Sequence, residues 1–119
     1  MKCLDTYALV EISRGNPSFS KYEAEAFLIT DVILAEFYGI VLREHDERTA
    51  DYWFRRLAAY SKPMSKELLV ESVKYRCKHR AKRLSFFDCA GYIFARSQRI
   101  PFVTGDKEFR DVEGVEVVK

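Results

Sequence analysis

The chain has 119 residues, 48% of them apolar, and this combination predicts a single globular domain rather than a disordered or fibrous protein. Its 20 basic and 18 acidic residues leave a net charge of +2, which by itself points to no class of partner. The three cysteines are odd in number and form no C-x-x-C pair, so we expect reduced thiols in a cytoplasmic protein. No signal peptide is visible, and no apolar run approaches the roughly 18 residues that a membrane span needs.

Short apolar runs alternate along the chain with longer segments of helical period, the pattern of an α/β fold with a parallel sheet. The predicted strands are residues 2–5, 26–30, 100–104 and 115–118, with a weak edge strand near 60–64. The predicted helices are residues 6–13, 20–26, 32–44, 47–60, 66–83 and 86–98.

Polar residues mark the starts of these helices, where a side-chain oxygen can accept a hydrogen bond from a free backbone N–H. The predicted N-caps are Ser18 or Ser20, Asp31, Ser65 and Ser85. In the helix over 66–83, the apolar period predicts that Leu69, Val73 and Cys77 face inward.

Four acidic residues occupy corresponding places in the predicted elements. Asp5 ends the first strand and Asp106 follows the strand over 100–104. Glu36 lies one turn into the helix after the strand over 26–30, and Asp88 lies in the first turn of the helix that Ser85 opens. The functional crevice of an open α/β sheet lies beyond the carboxyl ends of its strands, so the four acids can converge there.

A cluster of carboxylates either takes up protons or binds cations, because like charges repel and burial disfavours the charged form. Oxygen ligands without histidine or cysteine favour Mg²⁺ or Mn²⁺ over zinc. Such a site suits phosphodiester hydrolysis, in which a metal ion activates water and stabilises the leaving oxygen. Thr104 is placed to orient a carboxylate of this site through its hydroxyl.

Each acid also has an ordinary structural interpretation. Asp5 suits the N-cap of the helix that begins at Thr6, and Asp88 suits the first turn of its helix, where the dipole favours a negative charge. Asp106 could form a turn with Gly105 and cap the segment that follows. Glu36 is the exception, because it interrupts the apolar stretch VILAEFYGIV, where a charge without a partner is rare.

In their order and spacing, four segments resemble the PIN-domain nucleases, and in particular the VapC-type toxins of toxin–antitoxin pairs. These segments are CLDTYAL, FLITDVILAEFYG, LSFFDCAGYIFA and VTGDKEFRDVEGVEVV, and they span nearly the whole chain. Gly105, where the family more often has Asn, and Gly91, where it has a larger apolar residue, depart from the pattern. Neither departure removes an acid.

The resemblance implies a three-layer α/β/α fold with the parallel strand order 3-2-1-4-5. It implies that Asp5, Glu36, Asp88 and Asp106 are the catalytic, metal-binding quartet, with Thr104 as the accompanying hydroxyl. It further implies endoribonuclease activity with Mg²⁺ or Mn²⁺, a homodimer, and a cognate antitoxin that holds the activity in check.

A basic stretch, KYRCKHRAKR over residues 74–83, leads to the segment before Asp88. Arg80, Lys82 and Arg83 are nearest the predicted site, and we predict that they bind the phosphate backbone of the RNA substrate. The alternative is a solvated helix end whose cations interact with the helix dipole.

The leading hypothesis is thus a metal-dependent endoribonuclease of a toxin–antitoxin pair. The alternatives are a PIN nuclease of RNA processing without an antitoxin, and a non-catalytic module that binds RNA or protein. A receiver-like phosphoacceptor domain is disfavoured because Lys107 follows Asp106 too closely.

Overall fold

The computed structural model describes residues 1–118, which form five strands and six α-helices. The strands are β1 (Lys2–Leu4), β2 (Phe27–Thr30), β3 (Ser61–Lys62), β4 (Phe102–Thr104) and β5 (Val115–Val117). The helices are α1 (Thr6–Ser13), α2 (Pro17–Ala24), α3 (Asp31–Glu44), α4 (Glu47–Leu57), α5 (Lys66–Lys78) and α6 (Phe86–Gln98). Two 3₁₀ turns follow α4 and β4, at Ala58–Tyr60 and Lys107–Phe109. Within residues 1–118, no helix is both long and apolar enough to span a membrane.

All strands pair in parallel, in the order β3-β2-β1-β4-β5, so the predicted fold class and strand order are confirmed. The central strand, β1, pairs Cys3 with Leu28 of β2 on one side and with Phe102 of β4 on the other. Because parallel strands end at one edge of the sheet, the residues that follow β1 and β4 meet at that edge.

Alternate residues of each strand face opposite layers of helices. Leu4, Ile29 and Val103 belong to the apolar cluster that includes the buried side chains of α1 to α4. Cys3 and Phe102 belong to a second cluster, which contains the apolar face of α6 and parts of α5. The chain therefore forms the predicted α/β/α arrangement, with the sheet as its middle layer.

Gly91 lets α6 pack directly on the sheet. A Cβ atom at this position would lie 2.8 Å from Cε1 of Phe102, closer than real Cβ contacts. The larger apolar residue expected here has no room, because the Phe102 ring already fills the gap between α6 and β4. This packing fixes the position of the first turn of α6 relative to the ends of β1 and β4.

Two predicted N-caps are wrong. Thr30, the last residue of β2, caps α3 by accepting a hydrogen bond from the Val32 N–H at 3.1 Å. Asp31 is the first residue of the helix, and its carboxylate instead accepts a hydrogen bond from Ser61 Oγ at 2.5 Å. At α2 the cap is Asn16, because Pro17 is already helical and needs no N–H partner.

Helix α5 ends at Lys78 rather than at residue 83, and its inward face differs from the predicted one. Val73 and Cys77 are exposed, whereas Ser72 is fully buried, with its hydroxyl bonded to the Leu68 carbonyl at 2.8 Å. Helix α5 packs on α6, and the small Ser72 side chain allows the two helices to approach closely. The prediction assumed that the apolar residues of α5 face inward, whereas Val70 and Val73 are exposed to solvent.

Candidate functional site

Asp5 follows β1 and is buried at the carboxyl edge of the sheet, only 1% exposed. Its carboxylate caps α1 by accepting a hydrogen bond from the Ala8 N–H at 2.7 Å. The Thr104 hydroxyl also hydrogen bonds to this carboxylate. The ordinary interpretation of Asp5 as an N-cap is therefore correct, and it does not conflict with a role in a site, because a carboxylate has two oxygens.

Thr104 connects Asp5 to Asp106. It ends β4, is fully buried, and accepts a hydrogen bond from the Asp106 N–H at 3.0 Å. Asp106 in turn caps the following 3₁₀ turn by accepting from the Glu108 N–H at 2.9 Å. Phe109 closes that turn against the core, with its ring centroid 5.3 Å from that of Phe102. The segment over residues 104–109 thus holds Asp106 beside Asp5, because the Thr104 hydroxyl bonds to both residues.

Glu36 and Asp88 are each held by a neighbouring hydroxyl-bearing residue. The Thr6 hydroxyl donates to Glu36 Oε1 at 2.5 Å. Asp88 forms a capping box with Ser85, in which the Ser85 N–H donates to Asp88 Oδ2 at 2.8 Å and Ser85 Oγ accepts from the Asp88 N–H. Sequence reasoning missed Thr6, although its place directly after Asp5 could have indicated it.

The electrostatics of the acids show that they lie close together. Burial raises the pKa of Asp5 to about 7, and the charges of Asp88 and Asp106 act in the same direction. The pKa of Asp88 is raised by burial and further by the charge of Asp106, and that of Glu36 by burial and by the charge of Asp88. The sequence-predicted quartet is therefore one interacting group, in which the charges of Asp88 and Asp106 disfavour ionisation of the acids beside them.

The side chains as they stand do not form a ready metal cage. Among residues 1–118, no three acidic, histidine or cysteine side chains are arranged to hold a metal ion. Each of the four acids instead has an oxygen bonded to a protein donor, as described above. The donor set nevertheless fits a hard divalent cation, because it consists of oxygen atoms whose mutual repulsion a cation would relieve.

The predicted substrate-binding residues lie beside the acids in a groove of about 610 Å³. We call this the basic groove; it is lined by Arg76, Arg80, Lys82 and Arg83 and reaches Ser85. Residues 79–83 form a loop after α5 rather than the predicted helical turn. Lys82 Nζ donates to the Glu108 carbonyl at 3.2 Å, which ties the loop to the segment that carries Asp106.

Arg76 belongs to the predicted basic stretch but was not among the three residues predicted to be nearest the site. Its Nε donates to the Leu84 carbonyl at 3.1 Å, and its charge lowers the pKa of Asp88 against the dominant effect of burial. Arg76 therefore joins the basic groove to the acids.

A second cavity, the α1–α3 cleft, contains two of the acids and was not predicted. It has a volume of about 540 Å³ and lies between α1 and α3. Its lining includes Glu36 and Asp88 at one end, Tyr7, Val10 and Ile40 along its length, and Arg14, Arg43, Glu11 and Glu44 at the other end.

The comparisons with known proteins agree with this geometry. The family model of the PIN domain matches residues 2–115. No curated protein matches the chain significantly.

Solved structures with the same fold are similar along their full length at low sequence identity. The VapC20 toxin of Mycobacterium tuberculosis, described as a sarcin–ricin loop cleaving toxin, superposes with a TM-score of 0.80 at 18% identity and covers 100% of both chains. A toxin–antitoxin complex from Klebsiella pneumoniae gives a TM-score of 0.76 at 19% identity, covering 98% of this chain and 97% of that one. A DNA-bound VapBC from Salmonella typhimurium gives 0.72 at 14% identity, covering 98% and 95%. Since the family model covers nearly the whole chain, the protein belongs to the PIN domain family.

Proposed function

We propose that the chain is a metal-dependent endoribonuclease that hydrolyses RNA phosphodiester bonds. The observation that carries this proposal is the group of four carboxylates, from the ends of β1 and β4 and from α3 and α6, in which burial and then the charges of Asp88 and Asp106 raise the pKa of neighbouring acids. A protein that buries so much like charge gains most from a ligand of opposite charge.

In this proposal, Asp5, Glu36, Asp88 and Asp106 hold Mg²⁺ or Mn²⁺. The bound cation would neutralise the acids and supply the Lewis acidity that phosphodiester hydrolysis needs. Thr104, through its bonds to Asp5 and to the Asp106 backbone, keeps these two carboxylates in fixed relative positions. Ser85 does the same for Asp88, and Thr6 for Glu36. Thr104 is thus a positioning residue.

RNA is the proposed substrate because the cations of the basic groove lie next to the acids. Arg80, Lys82 and Arg83 can neutralise the phosphates of a strand that enters along this groove, and Arg76 extends the same surface. Such contacts carry no base specificity, so they position the strand rather than choose its sequence.

The partners are proposed from the similar structures. Several of those structures are complexes of a toxin with its antitoxin, which supports a cognate antitoxin protein for this chain. A homodimer is proposed from the family resemblance alone. We further propose that the chain is one PIN domain and acts in the cytoplasm. A PIN nuclease of RNA processing is the alternative, and a neighbouring gene for a small DNA-binding protein would favour the toxin.

Cleavage of end-labelled RNA by the purified chain tests the proposal. The substrates are a single-stranded RNA and a sarcin–ricin loop hairpin, each with Mg²⁺, Mn²⁺ or EDTA. We expect cleavage with metal, none with EDTA, and a loss of about 100-fold or more in Asp106→Asn, because a lost ligand costs at least as much as a lost ligand-orienting contact.

The matched control is Asp111→Asn, an exposed aspartate five residues further along, at a left-handed φ of 65° that asparagine tolerates. This variant should cut like the wild type. A wild-type chain that binds both RNAs but cuts neither with either metal would favour the non-catalytic binding module.

A further inference from the structure

The α1–α3 cleft contains two of the acids, Glu36 and Asp88, and extends beyond them past side chains to which the chemistry proposed above gives no role. It runs from Glu36 and Asp88 toward the ends of α1 and α3. Ser85 lines both this cleft and the basic groove, so the two cavities meet at the first turn of α6. A strand that enters along the basic groove and passes the acids therefore reaches the α1–α3 cleft.

Tyr7 forms an aromatic surface in this cleft. Its side chain is 47% exposed, although its ring contacts Phe19 on one side, with centroids 5.8 Å apart. The ring also lies directly against the backbone of Gly105. A Cβ atom added at Gly105 would come within 2.5 Å of Tyr7 Cδ1 and 2.7 Å of Cζ.

The contact with Tyr7 explains why residue 105 is a glycine. Gly105 does not have a positive φ, unlike Gly15 and Gly114, so the backbone itself would accept other residues. The Tyr7 ring excludes a side chain there. Because Gly105 joins Thr104 to Asp106, the ring is held at a fixed place beside the acids.

Arg43 supplies a cation at the other end of the same cleft. Arg14 is paired with Glu44 at 3.0 Å and lies 3.6 Å from Glu11. By contrast, Arg43 makes no salt bridge within the described part of the chain, residues 1–118. Its guanidinium lies over Gly39, where a Cβ atom would be 3.5 Å from Nη1, and its charge lowers the pKa of Glu36 against the larger effect of burial.

We propose that the α1–α3 cleft binds the nucleotide that adjoins the scissile phosphate, with Tyr7 stacked on its base and Arg43 in contact with its far phosphate. This inference rests on the proposed ribonuclease function and adds two substrate-positioning residues to it. A base is the ligand that an exposed flat ring recognises without a hydrogen-bond partner, and every RNA base has a face for stacking. The apolar side chains of Val10 and Ile40 complete the wall of a site for a flat ligand.

The test measures binding of ten-nucleotide RNAs that carry the fluorescent base 2-aminopurine at one position each. The protein carries Asp106→Asn in every case, so that Mg²⁺ can be present without cleavage. We expect quenching at one or two neighbouring positions, its loss in Tyr7→Ala, and its retention in Tyr7→Phe. Affinity should fall roughly tenfold in Tyr7→Ala. Arg43→Gln should lower the slope of log affinity against log salt by about 0.7, one phosphate contact on a single strand.

The coupling between Tyr7 and Gly105 gives a second, independent readout in the cleaving enzyme. Gly105→Ala should displace the ring and raise KM in the wild-type background. In Tyr7→Ala the space is empty, so the same substitution should have no further effect. An equal loss in both backgrounds would mean that Gly105→Ala acts through Asp106 instead, and it would contradict the proposed subsite.

The failures of the two proposals are distinguishable. If the wild type cuts RNA with metal but Tyr7→Ala leaves quenching, affinity and KM unchanged, the subsite is wrong and the ribonuclease stands. If the chain neither binds nor cuts RNA, both are wrong. If Tyr7→Ala and Arg43→Gln instead weaken binding to a co-expressed protein partner and leave RNA binding intact, the cleft is a protein-binding site.

Discussion

The Asp5 carboxylate both caps a helix and lies among other acids. It caps α1 through the Ala8 N–H, and it faces Asp88 and Asp106 in a position that water scarcely reaches. The cap favours the ionised form of Asp5, whereas burial and the neighbouring acids oppose it more strongly, so its pKa rises to about 7. The metal-free protein therefore holds Asp5 partly protonated near neutral pH.

This raised pKa predicts a pH-dependent cost to stability. The pKa of Asp5 has its ordinary value of 3.8 in the unfolded chain and rises to about 7 in the folded chain. Between about pH 4 and 7 the folded chain therefore binds more protons than the unfolded chain. The free energy of unfolding should fall as pH rises from about 4 to 7 and stay low above. Asp5→Asn should therefore be more stable than the wild type at pH 8 in EDTA, by on the order of a few kcal/mol, and equal to it near pH 4.

Thermal melting across pH in EDTA measures the difference, with Asp46→Asn as the control. Asp46 caps α4 on the surface, and the hydrogen bond from the Thr49 N–H lowers its pKa. Its contribution is present above its unfolded pKa of 3.8 and is lost only as pH falls below that value, so Asp46→Asn should be less stable than the wild type throughout pH 5 to 8 and should show no relative gain as pH rises. A wild-type advantage over Asp5→Asn at pH 8 would contradict the buried-charge interpretation.

The acids themselves were predictable from the sequence, whereas the groups that hold them were only partly so. Asp5, Asp88 and Asp106 all occupy N-cap or first-turn positions, which local sequence indicates. Their convergence depends on β1 and β4 being neighbours, which only the pairing of the strands establishes. Tyr7 could not be recognised, because its exposure and its contact with Gly105 follow from tertiary packing.

At the scale of elements, the loop after α5, and not the helix itself, carries the three basic residues that are predicted to bind the substrate. The basic stretch was predicted as helix to residue 83, but α5 ends at Lys78. Two contacts hold the loop: Lys82 Nζ bonds to the Glu108 carbonyl, and the Arg83 N–H donates to Glu108 Oε1 at 2.7 Å. Two hydrogen bonds therefore join the segment that carries Asp106 to the loop that carries the cations.

The basic groove predicts a defined salt dependence. The double variant Arg80→Gln, Arg83→Gln should lower the slope of log RNA affinity against log salt by about 1.4, two phosphate contacts on a single strand. Fluorescence anisotropy of a labelled single-stranded RNA between low and physiological salt measures this slope.

The matched control for the groove is Arg96→Gln, Arg99→Gln at the opposite end of α6. At 1.5 Å per residue, Arg96 lies about 15 Å and Arg99 about 20 Å along the helix axis from Phe86, the first residue of α6. Their removal should leave the slope unchanged. Equal changes in both pairs would mean that RNA is attracted by overall charge rather than by the groove.

Helix α5 shows that the apolar period of a sequence does not by itself identify the buried face of a helix. Leu69, Val73 and Cys77 have a helical spacing, yet α5 packs on α6 through Ser72, and Val73 is 56% exposed. Helix–helix contacts favour small residues where two backbones approach closely, and apolar patterning does not reveal this. By contrast, the strands were predicted to within two residues, because buried parallel strands are short apolar runs bounded by polar residues.

At the scale of the whole molecule, the strand order brings four distant segments to one edge of the sheet. Residues 5, 36, 88 and 106 are far apart in sequence, and the order β3-β2-β1-β4-β5 places β1 and β4 side by side at its centre. The α1–α3 cleft contains Glu36 and Asp88, and it shares Ser85 with the basic groove. The proposed RNA substrate thus has a continuous path along the basic groove to the acids.

The most direct test of the central claim is the chemistry of the cut ends. If the acids and a divalent cation direct water at phosphorus, the products carry 5′-phosphate and 3′-hydroxyl ends, and the 2′-hydroxyl at the cut takes no part. Mass spectrometry of the products should show these ends, and an RNA with a single 2′-deoxynucleotide at the cut should still be cleaved in Mg²⁺ or Mn²⁺. Products with 2′,3′-cyclic phosphate, formed in EDTA and abolished by the 2′-deoxy substitution, would contradict a metal-dependent acid site.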